Sequence, residues 1–330
     1  YSTGQLDPQE VLAESYARLR AFDGKLHAFL AALNETAVQQ AAAAARSYRD
    51  GTAGPLAGVP LSIKDTFDLA GAVSTRGSLV YRMNVATSDS GAVRRLLAAG
   101  AVLVGKTNTA EFGQSATTEN RLGEDCRNPW NINATPGGSS GGAAASVAAG
   151  IVPAALGADG GGSLRIPAAF TGLVGFKPTF GAVADEGGFA AMSDFCCAGP
   201  ITWRVADARI MISVLMDRPL MRAAARRQLH VAWCLRPEDR PVDPEVASVV
   251  TEAVSQLAAL GHDVEDVALP VAGWKDVFGP LVIAEEGKLR GHLLRSHRDN
   301  LTDYERSTLE AALALDPRVV EAARAQHALF

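Results

Sequence analysis

Two serines that could act in catalysis lie in glycine-rich stretches of this chain. Glycine gives the backbone around them unusual conformational freedom. Ser139 belongs to Ala134-Thr-Pro-Gly-Gly-Ser-Ser-Gly-Gly-Ala143, and Ser163 belongs to Gly157-Ala-Asp-Gly-Gly-Gly-Ser-Leu-Arg165. Dense glycine suits backbone that must turn sharply or bring N–H groups against a ligand. The two stretches therefore predict one shared site, with the nucleophile, proton relay and oxyanion donors of a serine hydrolase.

A third residue that could take part in catalysis lies much earlier in the chain. Lys64 comes at the end of Val59-Pro-Leu-Ser-Ile-Lys-Asp65, whose apolar residues predict a short buried strand. A lysine beside such a strand is unusual, because the charged residues are rarely fully buried unless they are paired.

Predicted strands and helices alternate along most of the chain, and these elements must position the site. Helices are predicted over 8–49, where Phe29 and Leu30 belong to the apolar pattern. The later elements are a helix over 90–99, a strand over 101–105, a helix over 140–149, candidate buried strands over 151–156 and 172–176, a strand-helix-strand unit over 230–235, 244–260 and 262–267, and helices over 276–330. This alternation indicates an α/β protein with a mostly parallel or mixed sheet.

The chain shows no internal repeat and no long low-complexity linker, so one domain over 1–330 is predicted. Within it we distinguish a helical region over 1–50, a catalytic core over 54–216 and an α/β and helical extension over 229–330.

Composition excludes several classes of protein. The net charge of -5 argues against nucleic acid or an anionic membrane as a partner. No apolar run is long enough for a spanning helix, and no signal peptide is evident. Four cysteines without CxxC or Cys/His spacing indicate a reduced, cytoplasmic protein with no metal site.

The first glycine-serine stretch also matches another motif. Gly137-Gly-Ser-Ser-Gly141 fits the G-x-S-x-G nucleophile elbow, but that elbow needs a strand before it. The preceding Asn128-Pro-Trp-Asn-Ile-Asn-Ala-Thr-Pro136 is rich in turn residues, and the later histidines have no glycine-turn setting. The elbow interpretation is therefore disfavoured.

Three ordered motifs resemble the amidase signature family. They are Gly58-Val-Pro-Leu-Ser-Ile-Lys-Asp65, Pro136-Gly-Gly-Ser-Ser-Gly-Gly142 and the stretch from Gly157 to Phe170, followed by Gly172-Leu-Val-Gly-Phe-Lys-Pro178. The resemblance implies an amidohydrolase with a mixed, largely parallel sheet covered by helices on both faces, and no metal or cofactor. It also implies that a C-terminal segment usual in the family, which closes part of the pocket, is lacking here.

Carried over position by position, the resemblance makes Ser163 the nucleophile, Ser139 the relay after a cis peptide bond, and Lys64 the base. Lysine accepts a proton only when neutral, which burial favours by lowering its pKa. A hydroxyl such as that of Ser139 can donate and accept at once. The N–H groups of Gly160, Gly161 and Gly162 are the implied oxyanion donors.

Other matching positions are expected to support these groups. We expect Asp65 and Asn108 to orient Lys64 or its loop, and Ser140 to cap a helix or donate near the site. Asp159 and Arg165 flank the nucleophile, and a buried structural ion pair is preferred over binding of a substrate carboxylate.

The resemblance places a pocket wall at Gly113, Gln114 and Ser115, whereas Glu111 is expected to be solvated. The chain departs from the family at Gly160, where many members carry threonine, and at Cys196, where many carry aspartate. Cys196 is expected to pack near the pocket.

The motifs predict cleavage of a carbon–nitrogen amide bond in a small molecule. One alternative is the glutaminase subunit of a tRNA-dependent amidotransferase, which has obligate protein partners. A second is a truncated binding protein of the same fold without turnover. The assembly, including a homodimer, is left open.

Overall fold

The computed structural model describes residues 1–184, 190–219 and 228–329. In these ranges the strands are β1 (Phe29–Ala32), β2 (Pro60–Lys64), β3 (Val102–Thr107), β4 (Ala154–Asp159), β5 (Val174–Gly175), β6 (Cys197–Thr202), β7 (His230–Trp233) and β8 (Asp263–Asp266). The helices are α1 (Pro8–Leu26), α2 (Asn34–Arg49), α3 (Gly91–Ala98), α4 (Gly141–Ala148), α5 (Arg165–Thr171), α6 (Val205–Leu215), α7 (Pro244–Ala259), α8 (Trp274–Arg290), α9 (Leu293–Ser296), α10 (Asp303–Ala314) and α11 (Pro317–His327).

Six strands form a mixed sheet in the order β1-β3-β2-β4-β6-β5. The central strand β2 is parallel to both β3 and β4, whereas β1, β6 and β5 join in antiparallel pairs. The parallel strands end together, so Lys64 at the end of β2 and Asp159 at the end of β4 lie at the same edge. In open α/β sheets ligands bind outside the carboxyl ends of strands.

Helices cover both faces of this sheet because successive strand residues point to opposite sides. Leu103 packs into one apolar core with residues of α3 and α6, whereas its neighbours Val102 and Val104 pack into another with residues of α1, α2 and α4. Both cores consist of buried, mostly aliphatic residues. The predicted fold class, a mixed sheet with helices on each face, is confirmed.

Two strands differ from the sequence-based predictions. Helices were predicted throughout 8–49, but α1 ends at Leu26, where His27 caps it with a left-handed φ of 49°, and β1 then pairs with β3. No strand was predicted at β6, whose Gly199 and Pro200 disfavour strand structure by themselves. It forms nevertheless, because it pairs with β4 along its whole length and is buried.

The other predicted elements are found with shifted bounds. The candidate strand over 151–156 is β4 and begins three residues later, at Ala154. The strand over 172–176 shortens to β5, which is half-buried. The helices over 276–330 correspond to α8 to α11, and Phe330 lies outside the described residues.

The contacts between Cα atoms divide the chain into two compact units. The first comprises 1–220 and 282–314, and the second comprises 221–281 and 315–330, apart from residues outside the described ranges. The second unit contains the predicted strand-helix-strand arrangement, with β7 parallel to β8 and α7 between them in sequence. The prediction of one domain over 1–330 stays a prediction.

Candidate active site

Lys64 is buried at the carboxyl end of β2, where it is 2% exposed. Its Nζ donates a hydrogen bond of 2.7 Å to Ser139 Oγ. Burial lowers the pKa of Lys64 from 10.5 to about 8, although the acidic groups of Cys196 and Asp159 act in the opposite direction. A part of Lys64 is therefore neutral near pH 7 and able to accept a proton.

The loop that carries Ser139 packs tightly against the segment between Thr109 and Thr118. The peptide bond between Gly138 and Ser139 is cis, as the resemblance implies. A Cβ at Gly138 would lie 2.1 Å from the carbonyl oxygen of Thr117, so only glycine fits this close approach. The hydroxyl of Thr109 donates to the carbonyl of Ser139 at 2.8 Å, and the hydroxyl of Thr118 binds the same loop at Gly137.

Asp159 organises the second loop from the end of β4. Its carboxylate is fully buried and accepts hydrogen bonds from the backbone N–H groups of Gly162 and Leu164 and from the Arg165 guanidinium. Burial by itself would raise the pKa of Asp159, but Arg165 and the backbone donors outweigh it and hold the pKa below its usual value. The ion pair preferred from sequence is formed, but only its Asp159 half is buried, because the Arg165 side chain is 55% exposed.

The three predicted oxyanion donors are not equivalent. The N–H of Gly162 donates to Asp159 Oδ1 at 2.7 Å, so this group is engaged within the loop. This is a correction to the predicted set of three. Among the described residues, none accepts a hydrogen bond from the N–H of Gly160 or Gly161. Gly160 lines the active-site cavity, whereas Gly161 is exposed, and neither Gly161 nor Gly162 belongs to the described lining.

A cavity of about 560 Å³ brings most of the predicted groups together. Lys64, Ser139, Ser163, Gly160 and Gly113 all line it. The rest of its described wall is mostly apolar and includes Phe67, Phe112, Phe180, Val183, Met192, Cys196 and Ala198. Lys64 is the one charged side chain among the lining residues that the structure describes.

Asp65 and Asn108 hold the loops that follow β2 and β3. The carboxylate of Asp65 forms a buried ion pair with Lys106, 2.9 Å from its Nζ, rather than contacting Lys64. The other carboxylate oxygen of Asp65 accepts hydrogen bonds from the backbone N–H and the hydroxyl of Thr75, so this residue holds the loop that follows Lys64. Asn108 donates to the carbonyl of His27 and accepts from Asn120, which anchors the loop after β3.

Ser140 stands at the start of α4 but does not cap it. Its Oγ donates to the carbonyl of Ala158 at 3.2 Å, and no side-chain capping bond is formed. Ser140 thus ties the first glycine-serine loop to β4, close to the Ala158 that lines the cavity.

Of the three predicted pocket residues, only Gly113 lines the cavity. Gln114 is buried and donates to Glu286 Oε1 at 2.6 Å, which turns it away from the described lining. Ser115 lines a separate, polar cavity of about 640 Å³. Glu111 was expected to be solvated and is instead 4% exposed, because it accepts hydrogen bonds from Ser78 and Thr302.

Several residues of the cavity wall carry no sequence signal that would have identified them. Ala190, Ala191, Met192 and Ser193 line the cavity from the chain just before β6. Arg290 at the end of α8 donates to the carbonyl of Ala190, and its guanidinium lies 4.9 Å from the ring centroid of Phe112. These partners are distant in sequence, so a single sequence carries no indication of them.

Neither a metal site nor a membrane-spanning helix is found in the part of the chain that the structure describes. The His, Cys, Asp and Glu side chains of these residues form no group of three or more that could hold a metal ion. Among the same residues, no helix combines the length and apolar character that crossing a membrane requires.

A buried lysine hydrogen-bonded to one serine, with a second serine lining the same cavity, is the arrangement that an enzyme with a serine nucleophile requires. The family model described as Amidase matches residues 10–291, and the chain belongs to that family. Enzymes of this family hydrolyse carbon–nitrogen amide bonds.

Curated relatives carry a more specific name. The chain is 38% identical to a subunit of the glutamyl-tRNA(Gln) amidotransferase of Syntrophobacter fumaroxidans (strain DSM 10017 / MPOB), over 82% of this chain and 59% of that protein. It is 40% identical to the corresponding protein of Anaeromyxobacter sp. (strain K), over 80% of this chain and 57% of that protein. The chain therefore spans less than two thirds of the length of these relatives.

Solved structures of amidases share the fold. A crystal structure of an amidase superimposes with a TM-score of 0.89 at 34% identity, covering 98% of this chain and 74% of that one. A bacterial aryl acylamidase of the amidase signature family has a TM-score of 0.85 at 30% identity, covering 98% and 72%. The predicted family membership is confirmed.

Proposed function

We propose that this chain hydrolyses the amide bond of a small molecule through an acyl-enzyme on Ser163. The observation that carries the proposal is the 2.7 Å hydrogen bond between Lys64 Nζ and Ser139 Oγ, inside a cavity that Ser163 also lines. A serine hydroxyl needs a base, and a buried lysine with a pKa of about 8 supplies one.

In the first half-reaction, neutral Lys64 takes the proton of Ser139, while Ser139 takes the proton of Ser163. The Ser163 Oγ then attacks the amide carbonyl carbon, and the carbonyl oxygen develops negative charge against the N–H groups of Gly160 and Gly161. When the carbon–nitrogen bond breaks, the proton returns from Lys64 through Ser139 to the leaving nitrogen. The products are a free amine or ammonia and an ester on Ser163.

Water completes the reaction along the same proton path. Ser139 and Lys64 take one proton of the water as its oxygen attacks the ester carbonyl carbon. The bond between the acyl carbon and Ser163 Oγ then breaks. Ser163 Oγ recovers a proton from Ser139, and the carboxylic acid leaves. Each group returns to its starting protonation state, so the same lysine serves as base and acid.

Asp159 and Arg165 act on the loop rather than on the substrate. Asp159 is fully buried, accepts backbone N–H groups on both sides of Ser163, and is absent from the described cavity lining. It therefore fixes the position of the loop that carries the nucleophile and the oxyanion donors. In this way a buried charge can aid the reaction without contacting the substrate.

A second candidate is glutamine hydrolysis by a subunit of a tRNA-dependent amidotransferase. The curated amidotransferase relatives favour it, at 36–40% identity. The apolar side chains that line the described cavity wall suit an apolar, neutral amide, which favours the first candidate. Ammonia release from glutamine and from propionamide, a small neutral amide, is measured side by side: release from propionamide but not from glutamine supports the first candidate, and the reverse supports the second.

Labelling with a fluorophosphonate tests the proposed chemistry directly. Intact mass and peptide mapping are expected to place one adduct on Ser163, with Ser163→Ala unlabelled and Ser139→Ala labelled about a hundredfold more slowly. Ser255→Ala is the matched control, since Ser255 is exposed on α7. Fast labelling of Ser163→Ala, or an adduct on another serine, would exclude the assigned nucleophile.

A further inference from the structure

Met192 lies directly against the oxyanion loop at a position that only glycine leaves open. A Cβ at Gly160 would lie 2.5 Å from Met192 Sδ and 2.9 Å from Met192 Cβ, closer than real Cβ atoms come to other heavy atoms. The φ of Gly160 is outside the left-handed region, so its backbone tolerates any side chain. Space occupied by Met192, and not backbone conformation, is what requires glycine here.

The segment that carries Met192 is anchored on both sides to α8. The backbone N–H of Ser193 donates to Glu285 Oε2 at 2.8 Å, and the carbonyl of Ala190 accepts from Arg290. The carbonyl of Met192 accepts from Phe195 N at 2.8 Å, which closes a tight turn. These bonds resist withdrawal of the Met192 backbone, so its Cβ cannot easily make way for a side chain at Gly160.

Met192 also supplies most of the bulk of this part of the cavity wall. Its neighbours Ala190 and Ala191 line the same cavity with small side chains. Methionine is long, unbranched and polarisable, and it fits closely around apolar groups. Since the described wall is mostly apolar, Met192 is suited to contact an uncharged, apolar group.

We propose that Met192 is a specificity-determining residue, which limits the size of the apolar group bound beside the oxyanion loop, and that Gly160 is the residue that makes room for it. The proposal rests on the proposed function, because it takes Ser163 as the acylated residue. It assigns the cavity to neutral amides whose apolar substituent is small.

Two sulfonyl fluorides of different size test this assignment without a known substrate. Methanesulfonyl fluoride and phenylmethanesulfonyl fluoride are reacted with the wild type, Met192→Ala, Gly160→Thr and the double variant, and the rate at which Ser163 gains mass is recorded. Met83→Ala is the matched control, since Met83 is 79% exposed and absent from the described lining.

In Met192→Ala the ratio of the phenyl rate to the methyl rate is expected to rise about tenfold, which is what removal of a steric wall in an apolar pocket typically produces. The control keeps the wild-type ratio. Gly160→Thr is expected to react about tenfold more slowly with both probes, and the double variant to recover to within about threefold of Met192→Ala, because the two positions share one space.

The outcomes distinguish the role of Met192 from the chemistry on Ser163. If Ser163 is labelled but the ratio is unchanged or falls in Met192→Ala, the role of Met192 is refuted while the proposed chemistry stands. If the wild type is labelled elsewhere, the proposed function itself is refuted. Should Gly160→Thr fail to fold, as thermal unfolding reports, the ratio in Met192→Ala still decides the question.

Discussion

Replacement of Lys64 by methionine is expected to abolish acylation of Ser163 and, at neutral pH, to stabilise the fold. The two side chains are similar in length, but methionine carries no charge. Lys64 is buried to 2% exposure, so its ammonium is removed from water when the chain folds. It donates a hydrogen bond to Ser139, 2.7 Å away, which the variant loses.

The size of the effect follows from the pKa. A fall from 10.5 to about 8 means that the folded state holds this proton less tightly than the unfolded state does. At about 1.4 kcal/mol per pKa unit, the cost is about 3 kcal/mol below pH 8. The lost hydrogen bond to Ser139 offsets about 1 kcal/mol. Lys64→Met should therefore be about 2 kcal/mol more stable than the wild type at pH 7.

The sign of the pH dependence is also determined. Between pH 8 and 10.5 the unfolded state binds more protons at Lys64 than the folded state, so the wild-type free energy of unfolding gains from this residue as pH rises. The methionine variant lacks that gain, so its advantage should close by about pH 9.5, and near pH 10.5 the wild type should be more stable by about 1 kcal/mol, the value of the hydrogen bond to Ser139. Urea unfolding of both proteins from pH 7 to pH 10.5 measures the difference.

The difference in free energy of unfolding between the wild type and Lys64→Met removes the contributions of other titrating groups. Burial raises the pKa of Tyr1 and Tyr16 to about 12 and raises the pKa of the Cys126 thiol, which lowers stability in alkali in both proteins alike. Fluorophosphonate labelling of the wild type should rise about tenfold per pH unit up to about pH 8 and then level off. A flat labelling profile, or equal pH dependence of stability in the two proteins, would refute a buried Lys64 as the base.

Three further variants each test a single residue and its surroundings. Gly138→Ala should destabilise the fold by about 3 kcal/mol or more, because its Cβ would overlap the backbone of the neighbouring loop; Gly123→Ala, with open space around it, should unfold like the wild type in urea. Burial raises the pKa of Glu305 from 4.5 to about 8, so the folded state binds more protons between these values and stability falls as pH rises; Glu305→Gln should be up to about 5 kcal/mol more stable at pH 8, and equal denaturation midpoints there would contradict this. Asp159→Asn should label Ser163 about a hundredfold more slowly, because the buried carboxylate that orders the loop becomes a weaker acceptor; acid should mimic this loss, since the lowered pKa of Asp159 keeps it charged at neutral pH, and an unchanged labelling rate would show that the ion pair has no part in positioning.

The three proposed catalytic groups could be singled out in the sequence because the features that mark them are local. Ser139 and Ser163 need glycine-rich backbone around them, and Lys64 needs an apolar strand before it, all within a few residues. Most helices and strands were also predictable from periodicity. Strand β6 was not, because Gly199 and Pro200 disfavour a strand until β4 is there to pair with it.

Partnerships between distant residues were decided by the tertiary structure alone. Asp65 follows Lys64 in sequence, yet it pairs with Lys106 because adjacent residues of an extended chain point to opposite faces. Glu111 was predicted to be solvated but is buried by Ser78 and Thr302, which come from far along the chain.

The cavity wall shows the same difference between what the sequence determines and what the tertiary structure determines. A sequence specifies which groups can carry a proton or accept one, because that depends on residue type and nearby backbone. It leaves undetermined that Met192 fills the space beside Gly160, or that Gly162 donates to Asp159 rather than to an oxyanion. Those contacts depend on how separate segments pack around the sheet edge, and packing is a property of the whole fold.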